Sequence, residues 1–187
     1  MSTGEWLIGI MAGIGLAAAS GFRVFLPMFM LSLAAHLHWL SLNPHLAWLG
    51  SKTALVILGV ATVAEVLAYL IPWVDHLLDV IAMPLAGIAG TLAVAAVLKD
   101  TDPALTWALA LIAGGGTATA VQTSTSATRV TSTATTGGLA NPLFSTAESF
   151  MSLVLSILSI VAPLLALIVL LLIFWLIRRL FRRKKTT

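Results

Sequence analysis

The sequence predicts an all-α fold: a polytopic bundle of transmembrane helices, some of them broken or re-entrant. Three observations carry that prediction. Hydrophobic residues make up 59% of the 187-residue chain and charged residues only 9%, against roughly 25% charged in an ordinary soluble domain. Lys and Arg are sparse through the body and then crowd into Arg178, Arg179, Arg182, Arg183, Lys184 and Lys185, directly after an apolar run that ends at Ile177. Gly and Pro breaks divide the apolar stretches into lengths near or below the roughly 20 residues that cross a bilayer.

The stretch from Trp6 to Trp39 is too long for one straight span of about 20 residues. Ser20-Gly21 and Pro27 interrupt it, giving a helix that ends near Ala19 and a second from about Phe22 to His38. At a rise of about 1.5 Å per residue the first falls short of a hydrocarbon core about 30 Å thick, so it reads as a re-entrant half-helix or a short tilted span. Glu5 stands where a signal peptide would carry Lys or Arg, so this segment is expected to be retained. The following loop, with Trp39, Trp48, His36, His38 and His45, suits the headgroup level, and Asn43-Pro44 makes its turn.

Thr53 to Ile71 reads as a span stopped by Pro72, and Leu77 to Leu98 as a further one with Pro84 tolerated inside it. Lys99 to Pro103 is a short aqueous turn. Ala104 to about Gly116 begins another apolar helix, after which 12 of the 20 residues from Thr117 to Thr136 are Ser or Thr. That stretch is either a solvated loop or a helix whose hydroxyls bond back onto it. Gly137-Gly138 and Asn141-Pro142 punctuate, and the last run, Thr146 to Ile177, is long enough to tilt, bend at Pro163 or leave the membrane. About five to seven membrane helices are expected.

Residues 1–177 thus form a single helical membrane domain followed by a basic tail, 178–187. The positive-inside bias puts that tail in the cytoplasm, with anionic lipid headgroups as its partners and the inner membrane as the location. The formal charge of +3 belongs to the tail, because without its six cations four basic residues face seven acids; nothing supports nucleic-acid binding. The absence of Cys excludes disulfides, thiolate catalysis and iron–sulfur or zinc–thiolate sites. The three His lack a supporting carboxylate at metal spacing, and Gly114-Gly115-Gly116 lacks the Lys and Ser/Thr of a phosphate loop, so no cofactor or metal is expected. A homo-oligomer is compatible with the sequence.

Polar residues inside apolar segments are the candidate ligand-binding set. Arg23 either snorkels from a shallow helix start or sits as a cation in a cavity between broken helices. Arg129 is exposed if its Thr-rich surroundings are a loop and buried if they are a helix. Glu65, six residues before the end of its span, is too deep to reach water easily and should pair with an Arg or be protonated. Glu148 with Ser145 fits a capping box. Asp75 and Asp79 share a helix face, where they either complement the helix dipole or hold a cation or proton. Ser20-Gly-Phe-Arg23-Val24 recurs as Ser126-Ala-Thr-Arg129-Val130 and Ala64-Glu65 as Ala147-Glu148, which adds Ser20 and Ser126. It also raises an inverted internal repeat of residues 1–98 and 104–177.

Glu65 followed by Pro72-Trp-Val-Asp75-His-Leu-Leu-Asp79, then Arg129, Gly137-Gly-Leu-Ala-Asn141-Pro142 and Glu148, resembles the small bacterial membrane proteins grouped as domain of unknown function 4126. The resemblance runs from Gly15 to about Pro163. Thr125 stands where the family often has a Lys, four residues before the second Arg. The resemblance implies a helical membrane fold and supplies no activity. From the residues themselves the leading expectation is a small transporter, channel or flippase-like protein for an anionic solute or lipid phosphate. The alternative is a structural or assembly subunit that packs other membrane proteins. An enzyme is less expected, since no nucleophile–base pair converges.

Overall fold

The computed structural model describes residues 3–183, and among them the chain is helical without a strand. Lys184 and Lys185, and the side chains of Arg178, Arg179, Arg182, Arg183 and Asp75, lie outside the described residues. In order come α1 (Thr3–Phe22), α2 (Phe25–His36), a 3-10 helix (Pro44–Gly50), α3 (Lys52–Ala68) and α4 (Pro72–Val97). Next, α5 (Pro103–Leu109) passes through a π-helical segment (Ala110–Gly115) into α6 (Gly116–Thr136), and α7 (Asn141–Val161) and α8 (Pro163–Arg183) close the chain.

The protein is membrane-embedded. Four helical stretches, Gly4–Phe22, Leu77–Val97, Pro103–Thr136 and Asn141–Val161, are long and apolar enough to cross a bilayer. A fifth counts if Pro44–Gly50 and Lys52–Ala68, bent by 63°, form one broken span. Phe25–His36 and Pro163–Ile173 are shorter apolar helices. Full spans therefore number at most the lower end of the expected range among the described residues, the remainder being fragments.

Local chemistry explains where the elements begin and end. The first break falls at Arg23-Val24 and not at Ser20-Gly21. Ser20 is accommodated inside α1 by donating its hydroxyl to the Leu16 carbonyl at 2.9 Å, and the Arg23 amide still bonds Ala19 O at 3.1 Å. Pro27 sits in the first turn of α2, where its missing N–H leaves no helical bond unmade. The Ser/Thr-rich stretch is helical throughout: Thr123, Ser124, Thr128 and Thr131 donate to the carbonyls four residues earlier at 2.8 to 2.9 Å. That pattern satisfies hydroxyls within the helix and makes a polar sequence tolerable in a membrane. Gly137, at φ +64, ends α6 in the left-handed conformation. Because α7 starts at Asn141, Ser145 and Glu148 lie inside the helix and the expected capping box does not form. The last run breaks at Ala162-Pro163.

Helix α1 is the centre of the bundle and packs against α4, α6, α7 and α8. Leu16, Ala17, Ala18 and Ala19 are fully buried. α4 and the π segment approach closely enough that a Cβ on Gly90 would lie 2.6 Å from the Gly114 carbonyl oxygen. α7 meets α1 with serines: Ser152, Ser156 and Ser159 are fully buried, and Ser152 donates to Ala19 O at 3.0 Å.

Helix directions decide the repeat. α7 runs antiparallel to α1, pairing Ser145 with Arg23 and Ser152 with Ala19. It also runs antiparallel to α6, pairing Asn141 with Thr133 and Glu148 with Arg129. α1 and α6 therefore point the same way, whereas inverted halves would have them opposed. α3 and α7 carry the Ala-Glu echo in opposite directions, so no single symmetry operation relates both echoes. The expected inverted repeat is corrected on that ground, and only the first Arg segment is broken.

Candidate functional site

Three connections bring the buried charges to one level. Asp79 is seven residues into α4, Glu148 seven residues into α7, and Arg129 seven residues before the end of α6. At about 1.5 Å per residue each lies roughly 10 Å inside the end of the bundle formed by the α3–α4 and α6–α7 turns. The α1–α2 break stops at that same depth. Its two exposed amides are met by Glu65, whose Oε1 accepts from Val24 N at 2.7 Å and Oε2 from Phe25 N at 3.0 Å. A carboxylate at a helix N-terminus is favoured by the dipole, so the half-helix and the buried acid stabilise each other. Glu65 was expected to pair with an Arg or be protonated; its hydrogen bonds go to the backbone.

Arg23 is 1% exposed. Its Nη2 donates to the Ser145 carbonyl at 2.7 Å and to the Ser145 hydroxyl, and its Nε donates to Ser149 Oγ at 2.9 Å. Glu148 Oε2 is 3.7 Å from Nη2. Among the described residues Nη1 has no hydrogen-bond partner. Arg23 thus does not snorkel. Arg129, 3% exposed, donates to Glu148 through Nε at 3.3 Å and through Nη2, and to Asp79 Oδ1 through Nη1 at 2.8 Å. Both guanidinium carbons lie over the ring of Tyr69, at 4.0 Å for Arg23 and 4.3 Å for Arg129, and the Tyr69 hydroxyl donates to Asp79 at 3.3 Å.

The arrangement is a charge network in which one carboxylate, Glu148, touches two arginines, and one ring bears on both. With three acids, Glu65, Asp79 and Glu148, and two bases, its formal charge is −1 when all are ionised. Such a network is costly to leave half-satisfied, and Arg23 Nη1, without a hydrogen-bond partner among the described residues, is a point at which a further acceptor can enter. Ser20 and Ser126 do not join it: Ser20 bonds its own helix, and Ser126 accepts from Gln122 Nε2 at 3.2 Å. Asp79 enters through Arg129 and Tyr69, while the Asp75 side chain is outside the described residues.

The family model described as domain of unknown function (DUF4126) matches residues 10–183. The chain belongs to that family. No curated protein and no solved structure matches it. Three of the acids among the residues that carry the resemblance, Glu65, Asp79 and Glu148, are the three acids of the network, and the matched range includes every residue of that network.

Two contributors escaped sequence reading. Tyr69 is the only Tyr in the chain and stands four residues after Glu65, on the same helical face. Ser145, Ser149, Ser152, Ser156 and Ser159 alternate spacings of four and three, the signature of a single helix face.

Proposed function

We propose that this protein is a small transporter-like or channel-like membrane protein for an anionic group, either a free anion or a lipid phosphate, with Arg23 and Arg129 as its binding cations. The observation that carries the reading is the buried Nη1 of Arg23 at a helix break, without a hydrogen-bond partner among the described residues, beside a carboxylate, Glu148, that it shares with Arg129. Binding sites at discontinuous helices are a recurring solution for membrane transport, because irregular backbone at depth survives only where protein or a polar cavity surrounds it. The two cavities described among these residues lie away from Arg23 and Arg129.

Chemistry follows from the pairing. An incoming anion takes Arg23 Nη1 first and then competes for Nη2 with the Ser145 carbonyl and hydroxyl and, at 3.7 Å, with Glu148. A Glu148 displaced from Arg23 keeps its hydrogen bonds to Arg129, so the carboxylate stays charge-compensated while the anion occupies Arg23. The basic end facing the cytoplasm, the inner-membrane location and the tail's attraction to anionic lipids form part of the same proposal, supported by the positive-inside bias.

The test is reconstitution into liposomes, using inorganic phosphate flux and scrambling of a fluorescent phospholipid as separate readouts. Flux or scrambling above empty liposomes, lost in Arg23→Gln, supports the proposal. Both readouts at the empty-liposome level overturn it and leave the assembly reading in its place.

A further inference from the structure

Helix α3 supplies the ring that covers both arginines. Tyr69, the first residue past its end, is buried, its ring lies over both guanidinium carbons and its hydroxyl donates to Asp79. Four residues earlier, Glu65 accepts from the Val24 and Phe25 amides. These two side chains tie the last turns of α3 to the charge network. The rest of the helix is different in kind: Ala54 and Glu65 are its buried residues, Val56, Ile57, Val60, Val63 and Leu67 are exposed, and it packs chiefly against α2 and the 3-10 helix. The core helices interlock instead, as at Gly21, where a Cβ would lie 2.5 Å from the Ala118 carbonyl oxygen. In a membrane an apolar helix surface gains little by leaving lipid for protein, because acyl chains are as apolar as Leu. Helix α3 is therefore retained more by its two polar ties than by its apolar face.

Both ends of α3 are jointed. At Ser51 (φ −71, ψ 152) the backbone is extended, and α3 turns 63° from the 3-10 helix. At Ile71 (φ −97, ψ 112) it is extended again before α4. The far side of the first joint is anchored, since Ser32 donates to the Leu49 carbonyl at 2.6 Å and Asn43 Nδ2 to the Leu98 carbonyl at 2.7 Å.

We infer that α3 is a lid on the arginine site, swinging about the Ser51 joint, with Glu65 and Tyr69 as its latch. Closed, the ring covers both guanidiniums and the carboxylate caps α2. The two latch residues stand one turn apart on one face, so lifting the last turns of α3 withdraws them together. The turn bonds from Leu70 to Leu67 and from Ile71 to Ala68 give way to supply the slack. Arg23 and Arg129 are then uncovered from the flank of the bundle at which α3 stands. What the lid admits rests on the anion reading; whether it moves does not, and its motion is measured with no anion present.

The chain has no Cys, so spin labels on paired cysteines in the full-length protein in nanodiscs report distances cleanly by double electron–electron resonance. Val63→Cys with Phe150→Cys spans the lid and α7, and Val80→Cys with Phe150→Cys spans α4 and α7 as a control, all three positions being exposed. With the latch intact the first pair should show mainly one distance. Tyr69→Leu should raise the share at longer distance about tenfold, through loss of the ring contacts and the hydroxyl bond. Glu65→Gln should raise it less, and the control pair should stay fixed. Trp-fluorescence melting checks that each variant is folded; should Tyr69→Leu fail, Glu65→Gln and Tyr69→Phe decide by the same criterion. A first pair unchanged by the latch substitutions overturns the proposal. So does a shift of both pairs together, which would mean that the bundle loosens as a whole.

Discussion

Glu148→Gln is the sharpest probe of the buried network. Removing one partner of a buried ion pair costs about 3–5 kcal/mol. For this substitution the lower end applies, because Arg129 keeps Asp79 at 2.8 Å and the Asp79 side chain, 16% exposed, stays partly hydrated. Arg129→Gln belongs at the upper end: it strands two carboxylates, and Glu148, 10% exposed on its side chain, then keeps only Arg23 at 3.7 Å. The double substitution should cost less than the sum of the two, by about 1–3 kcal/mol of coupling. In a chain of 187 residues each kcal/mol moves the melting point by about 2–4 °C, so Glu148→Gln should lower it by about 6–12 °C. Intrinsic fluorescence of the six Trp reads the transition in detergent, since a chain without Cys gives a thiol-reactive dye nothing to label. Single variants melting within about 1 °C of wild type, or effects that simply add, would refute a desolvated, shared carboxylate.

Glu65→Ala should destabilise by about 1–2 kcal/mol through loss of the α2 cap and raise hydrogen exchange at the Val24 and Phe25 amides, with Glu65→Gln intermediate; unchanged exchange would disprove the cap. Tyr69→Phe keeps the ring and loses only the 3.3 Å bond to Asp79, costing about 1 kcal/mol, whereas Tyr69→Leu also loses two cation–π contacts worth about 2 kcal/mol each when desolvated. Equal melting points for the two variants would contradict the stacking. Gly90→Ala places a methyl 2.6 Å from the Gly114 carbonyl oxygen and should cost about 1–3 kcal/mol, while Gly116→Ala should be neutral; equal effects would mean that α4 and the π segment pack less closely.

Much of the architecture is legible in the sequence because a bilayer imposes length and polarity rules that leave few options. The apolar runs mark α3, α4 and the start of α5, while Pro72 and Asn141-Pro142, read as a stop and a break before helices from Leu77 and Thr146, are where α4 and α7 begin. Breaks were harder to place. Ser20-Gly21 looks like an interruption, yet a serine that bonds its own carbonyl leaves a helix intact, and the true break at Arg23-Val24 depends on Glu65, 41 residues away. The Thr-rich segment was ambiguous for the same reason, since back-bonded hydroxyls make a polar sequence helical.

Burial of Glu65 follows from its depth in an apolar span, but sequence left Arg23 open between snorkelling and a cavity and Arg129 open between a loop and a helix, and the pairing of all three was not legible. Spacing alone could not show that Glu65 serves the backbone while Glu148 serves two arginines. Ser145-x-x-Glu148 misled because α7 begins at Asn141, so a pattern that elsewhere caps a helix lies inside one. The repeat misled because short echoes in a low-complexity sequence say nothing about direction, which only the contacts of α7 with both α1 and α6 decide.

The most direct measurement is an electron-microscopy map of the protein in lipid nanodiscs with and without saturating inorganic phosphate. The proposed function predicts added density within hydrogen-bond reach of Arg23 Nη1, with the Glu148 carboxylate moved off Arg23 and both changes absent in Arg23→Gln. An unchanged network at saturating phosphate, with Arg23 Nη1 packed against protein and no density beside it, would contradict the proposal.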